Sequence, residues 1–237
     1  MPSILITGAS SGIGRATTQK FLNEGWHVGL LARRADKLSE IADGNQNAEI
    51  YAVDVTNRFA VDKAVSEFAK SCGRLDAIFN NAGVFPSGAV VDEITDEDWL
   101  TTVNVNLTGM FYTARAAFAQ MRKQTPQGGR IINNGSISAH TPREGSLAYT
   151  ATKHAITGMT KSIGLDGRPL NIVCSQIDIG NARTEIVEAI AAAATPPPMM
   201  DVRHAADAVF HMANLPLDVN VQTMTIMANQ MPYLGRG

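Results

Sequence analysis

Short apolar runs rich in β-branched residues alternate along this chain with stretches whose apolar positions recur at helical spacing. The runs at residues 4–7, 27–32, 49–53, 77–80, 130–134, 171–177 and 222–228 predict strands. Between them a 3.6-residue period predicts helices over 13–24, 36–42, 58–71 and 96–123. Two more are expected over about 148–165 and 202–213. Thr95 followed by Asp96, Glu97 and Asp98 reads as a helix start, a hydroxyl cap and then acids facing the positive end of the dipole. Strand–helix alternation of this kind argues for an α/β architecture, a parallel sheet with helices on both faces. No repeat or linker interrupts it, so residues 1–237 are read as one domain. The alanine run Ala191–Ala194 before Thr195, Pro196, Pro197 and Pro198 predicts a helix that stops abruptly in a loop.

Composition narrows the picture. With 237 residues, 45% hydrophobic and 18% charged, the chain has enough apolar surface for a large core. A formal charge of −2 points to neither nucleic acid nor an anionic membrane surface as partner. No apolar run reaches the ~18 residues of a membrane span. The first strand begins almost at the start, so no targeting segment is expected and a cytoplasmic protein is. Cys72 and Cys174 have no metal-ligand or redox spacing and read as small buried apolar residues; no metal is expected.

Candidate chemistry lies in the turns after the strands. Thr7-Gly8-Ala9-Ser10-Ser11-Gly12-Ile13-Gly14 joins the first strand to the first helix. Glycines there let the backbone approach a pyrophosphate, and the helix N-terminus offers free N–H donors. The spacing T-G-x-x-x-G-x-G differs from the usual G-x-G-x-x-G. The second strand ends in Ala32, with Arg33 and Arg34 following where an NAD site usually has an acid. A guanidinium clamps a 2′-phosphate at two points, so NADP(H) is favoured over NAD(H). Asp54 and Val55, after the third strand, are placed against the adenine, with Asp54 accepting from its amino group. Asn80, Asn81, Ala82 and Gly83, after the fourth, put small and amide residues beside the adenosine ribose.

Tyr149 and Lys153 lie one helical turn apart on one face, with Ser136 upstream at the end of an apolar run. An ammonium beside a phenol favours the phenolate, and a phenol so placed can exchange a proton with an alcohol oxygen. Ser136 would donate a hydrogen bond to that oxygen as negative charge grows on it.

Taken together these residues resemble the short, single-domain branch of the short-chain dehydrogenase/reductase family over nearly the whole length. Gly8, Gly12 and Gly14 match its cofactor loop, and Asn80-Asn81-Ala82-Gly83 its N-N-A-G segment. Asn106, Ser136, Tyr149 and Lys153 match its catalytic tetrad. The resemblance implies a Rossmann-like doubly wound parallel sheet of about seven strands and hydride transfer between a nicotinamide and a small or medium alcohol or carbonyl. It implies that Lys153 holds the nicotinamide ribose and that Asn106 anchors a water linking Lys153 to solvent. It also implies a homotetramer or homodimer, pairing the 96–123 helix and the Tyr149 helix through apolar residues such as Phe111, Ala114, Ala117 and Phe118, which would equally suit the sheet.

The segment after the sixth strand departs from the family's P-G-x-x-x-T. It reads Ile179-Gly180-Asn181-Ala182-Arg183-Thr184, keeping Gly180 and Thr184, with the backbone near Ala182, for the nicotinamide carboxamide. Asp178 just before it reads as an acceptor for backbone N–H groups in preference to a substrate contact. Ser11 stands where many NADP-dependent members carry a base, so cofactor preference rests on Arg33 and Arg34. Ser138, His140 and Arg143 are the expected substrate contacts, with Val84-Phe85-Pro86 and the stretch 183–200 as pocket walls and lid. The segment 215–223 is similar to members that reduce small hydroxy acids or semialdehydes. The alternative reading is a non-catalytic NADP(H)-binding sensor on the same fold.

Overall fold

The computed structural model describes residues 1–86, 88–184 and 197–234. Apolar runs without polar alternation become strands buried on both faces, because helices cover the sheet from either side. Nine strands are present among the described residues: β1 (Ser3–Thr7), β2 (His27–Ala32), β3 (Ala48–Ala52), β4 (Ala77–Asn80), β5 (Gly129–Asn134), β6 (Ile172–Ile179), β7 (Ala182–Arg183), β8 (Met200–Asp201) and β9 (Thr223–Ile226). Seven form one sheet in the order β3-β2-β1-β4-β5-β6-β9, every pair parallel. β1, β4 and β5 are buried throughout, whereas the edge strands β3 and β9 are only partly covered. Among the described residues seven α-helices accompany them: α1 (Gly12–Asn23), α2 (Ala35–Ala42), α3 (Arg58–Cys72), α4 (Asp96–Val103), α5 (Met110–Lys123), α6 (Leu147–Gly167) and α7 (Val202–Ala213).

The period of two along β1 divides the core. Ile4 and Ile6 face Phe21, Leu38, Val209 and Met212, while Leu5 between them joins Val61, Phe68, Ala117 and Met121. Strand order reverses at β1 and β4, which opens a crevice beyond their C-terminal ends, where open α/β sheets bind ligands.

The predicted elements recur within a residue or two at most boundaries, with one internal difference. The helix expected over 96–123 is interrupted by a π-helical turn at Asn104–Gly109. Its start is as read: Thr95 Oγ1 accepts from the Asp98 N–H at 3.0 Å. The wide turn coincides with Gly109 packed on Val55, where a Cβ would lie 2.8 Å from Val55 Cγ2, and with Asn106 turned toward Val84. A second difference is the small parallel pair of β7 and β8, which no apolar alternation announces. Most of the proposed lid, including Ala191–Ala194, Thr195 and Pro196, lies outside the described residues. No helix among the described residues is long and apolar enough to cross a membrane.

Arg130 on β5 is buried. Its guanidinium donates to the carbonyls of Leu215, Pro216 and Val219 and to Asn220 Oδ1, tying the end of α7 to the sheet. Burial pushes its pKa below the usual guanidinium range.

Candidate active site

The glycine turn after β1 is built for close approach. Gly8 and Gly12 have φ of +66° and +52°, in the left-handed region that favours glycine. A Cβ on Gly14 would lie 2.2 Å from the Gly8 carbonyl oxygen, so no side chain fits there. The first turn of α1 carries no acid, and Ser11 makes no side-chain cap, which leaves the helix N-terminus suited to an anion. Thr184 packs over Gly12, within 3.3 Å of where its Cβ would be, so the segment after β6 meets the glycine turn. Ala182 is buried in β7, and the Gly180 N–H bonds to the Ile226 carbonyl.

At the end of β2, Arg33 and Arg34 are exposed. Arg34 Nη2 donates to Ser10 Oγ at 3.1 Å, bringing a cation onto the glycine turn. Asp54 Oδ1 accepts from the Thr56 N–H and hydroxyl, and Val55 is buried beneath the π turn.

Thr7 and Asn81 lock β1 to the turn after β4. The Thr7 hydroxyl accepts from the N–H groups of Asn81 and Ala82, and Asn81 Nδ2 donates to the Thr7 carbonyl at 3.0 Å. Gly83 lets this turn pass Asn106, since a Cβ would be 3.2 Å from Asn106 Oδ1. Asn106 is buried, and its amide is engaged at both ends. Oδ1 accepts from the Val84 N–H at 2.7 Å, and Nδ2 donates to the Val84 carbonyl at 2.9 Å. Through these two bonds the side-chain amide pins the turn that carries Phe85. The Phe85 ring meets Tyr149 edge-on at 4.8 Å, and the Arg143 guanidinium lies 5.2 Å above Phe85.

Tyr149 and Lys153 share a face of α6 as the spacing requires, with the ammonium 5.4 Å from the phenol ring centre. Lys153 is buried and donates to the Asn134 carbonyl at 2.7 Å. Asn134 in turn donates to Asn81 Oδ1 at 2.9 Å, while its own Oδ1 is buried with no protein partner. Sequence reasoning missed Asn134, because a contact through a main-chain oxygen carries no residue signature.

Ser136 follows β5. Its Oγ accepts from the Ser138 N–H at 3.1 Å, which leaves the hydroxyl proton free to be donated elsewhere. Asp178, fully buried, accepts from the Ser136 N–H at 2.9 Å, so the reading of it as a backbone acceptor holds. It also accepts from Gln176 Nε2 and pairs with His140 Nε2 at 2.8 Å. The aspartate therefore fixes both the serine backbone and an imidazole. A Cβ on Gly135 would lie 2.0 Å from Asp178 Oδ1, so glycine is required for this contact. Of the three expected substrate residues, His140 and Arg143 reach the surface. Ser138 is enclosed, its hydroxyl buried without a protein partner.

The donors and close-approach glycines fit a dinucleotide: an uncapped helix start, a turn that admits no Cβ, cationic side chains beside it and orphaned polar atoms at Asn134 and Ser138. Residues 2–195 match the sequence family described as short chain dehydrogenase. An uncharacterized oxidoreductase of Staphylococcus aureus strain N315 is 33% identical over 94% of this chain and 95% of its own length. Sulfoacetaldehyde reductase 2 of Chromohalobacter salexigens is 28% identical, covering 97% of this chain and 95% of its own. The closed form of serine dehydrogenase complexed with NADP+ superimposes with a TM-score of 0.90 at 26% identity, covering 99% of this chain and 98% of its own.

Proposed function

The chain is an oxidoreductase of the short chain dehydrogenase family, and on that premise we propose that it transfers a hydride between NADP(H) and a small or medium alcohol or carbonyl compound. The observation that carries this reading is the joined position of Lys153, held on the Asn134 carbonyl, and Tyr149 one turn away, beside a turn that admits no Cβ.

NADP(H), when bound, supplies or accepts the hydride. Tyr149 delivers a proton to the substrate oxygen in reduction and takes it in oxidation. Lys153 places its side-chain nitrogen 5.4 Å from the centre of the phenol ring, beside the group that gives up the proton. Ser136 donates to the same oxygen, its Oγ already accepting from a backbone N–H and its main chain fixed by Asp178. Asn106 sets the Val84 turn and thereby the Phe85 wall against Tyr149. Gly8, Ser10, Ser11, Gly12, Ile13 and Gly14 receive the pyrophosphate. Arg33 and Arg34 face the adenosine 2′-phosphate. Asp54, Val55, Asn81, Ala82 and Gly83 border the adenosine, and Gly180, Ala182 and Thr184 the nicotinamide. His140 and Arg143 are the polar contacts for substrate. The two relatives named for a sulfoacetaldehyde and for serine support a small polar substrate.

The test is a steady-state screen of aldehydes, ketones, keto acids and their alcohols with both NADPH and NADH. Turnover with a small carbonyl and a preference for NADPH that shrinks in Arg33→Ala supports the proposal. Tight cofactor binding without any turnover favours a sensor, and equal use of both cofactors refutes the NADP preference.

A further inference from the structure

At the ends of the strands opposite the glycine turn, three side chains with metal-binding atoms converge from three elements. His27 opens β2, Glu49 lies in β3, and Cys72 closes α3. One ligand atom from each lies within 4.8 Å of the others, and all three residues are half-buried. His27 Nε2 is 2.7 Å from Glu49 Oε1. Glu49 also accepts from the Tyr51 hydroxyl at 2.7 Å and the Ser71 hydroxyl at 2.5 Å. Beneath them Phe68 forms an apolar floor, its ring 5.8 Å from His27 and 6.2 Å from Tyr51.

The donor set favours a cation. Glu49 sets a carboxylate beside the His27 imidazole and the Cys72 thiol, and two hydroxyls donate to it. A divalent ion seated there takes the place of the thiol proton.

We propose that His27, Glu49 and Cys72 form a binding site for zinc or a similarly soft divalent cation, with water as the fourth ligand. Nitrogen and sulfur donors exclude a magnesium- or calcium-type site, and three protein ligands with one open position suit a tetrahedral ion. Seating an ion at ligand lengths of about 2.0–2.3 Å opens the 2.7 Å His27–Glu49 hydrogen bond and draws the Cys72 sulfur inward, movements of about 1 Å by partly exposed side chains. Binding forms the metal–sulfur bond, and the Cys72 proton leaves to solvent, one per ion bound. Tyr51 and Ser71 continue to donate to the Glu49 carboxylate and orient it as outer partners. The ion joins the end of α3 to β2 and to the sheet edge at β3. The sequence gives no sign of it, since positions 27, 49 and 72 share no short motif.

Titrating the metal-free, reduced full-length chain with Co2+ tests the site. One equivalent is expected to give the visible bands of a tetrahedral ion and a thiolate-to-metal charge-transfer band, both erased by excess Zn2+. Cys72→Ser removes the charge-transfer band. His27→Gln weakens Co2+ and Zn2+ binding by more than about tenfold, the cost typical of losing even an outer partner. Both variants keep the wild-type circular dichroism spectrum; should either unfold, Glu49→Gln serves as the second ligand variant and weakens binding likewise. A Co2+ spectrum unchanged from the free ion, a charge-transfer band that survives Cys72→Ser, or undiminished affinity in folded His27→Gln or Glu49→Gln overturns the proposal.

Discussion

Gly14 has its Cα so close to the Gly8 carbonyl that a single added methyl would sit 2.2 Å from the oxygen. Overpacking costs about 1–3 kcal/mol, and at this position the backbone of the turn itself must move. Gly14→Ala is expected to weaken NADPH binding by about tenfold or more, read by fluorescence titration; unchanged affinity would contradict the cofactor-turn assignment. Cysteine chemistry gives a second residue-scale test. Burial pushes both thiols up to about 12, so at pH 8 only about one in ten thousand is the reactive thiolate. Alkylation of the native, metal-free protein at pH 8 should be far slower than of the unfolded chain, and equal rates would refute it. At this scale the sequence was informative where placement follows from residue type and spacing: the glycines of the close turn and Lys153 one turn from Tyr149. It was silent on Asn134, which acts on Lys153 through a carbonyl, and on the His140–Asp178 pair, formed across 38 positions of chain. For Asn106 it found the residue but not the pair of bonds by which its amide holds Val84.

Elements are joined by polar side chains at two places where substitution has a calculable sign. Arg130 satisfies three backbone carbonyls at the end of α7 from inside the sheet. Arg130→Met leaves those acceptors without their donor and should cost about 3 kcal/mol, measured by urea unfolding; a loss near zero would show that the carbonyls find other partners. Glu49 joins β3 to β2 and α3. Its folded pKa is below the unfolded value, so its contribution is complete above pH ~4.5 and is lost as pH falls through the lower folded value. With a chelator present, Glu49→Gln should cost about 1 kcal/mol at pH 7 and nothing in stronger acid. A constant difference across that range would contradict the linkage. Apolar periodicity located the seven sheet strands and the helices because those patterns record burial directly. It passed over the π turn and the β7–β8 pair because both depend on close backbone approach, at Gly109 and Asn181, rather than on alternation.

Across the whole molecule, Trp99, Leu100, Phe111 and Leu147 stay exposed on α4, α5 and α6. Of the four residues that suited either an outer face or the sheet, Ala114 and Ala117 take the sheet side, buried in the core against α3 and the sheet. Phe118 packs on that core as well, leaving Phe111 as the exposed member of the four. Sedimentation should find a dimer or tetramer that Phe111→Glu shifts toward monomer; a wild-type monomer would contradict that assembly. The central claim is narrower: Tyr149, set against Lys153 beside the glycine turn, moves the proton in a carbonyl reduction. Comparing NADPH consumption by wild type and Tyr149→Phe on one accepted carbonyl tests it most directly. A rate lower by about 10²–10⁴-fold with unchanged NADPH affinity is the predicted result, and equal turnover by the two proteins would contradict it.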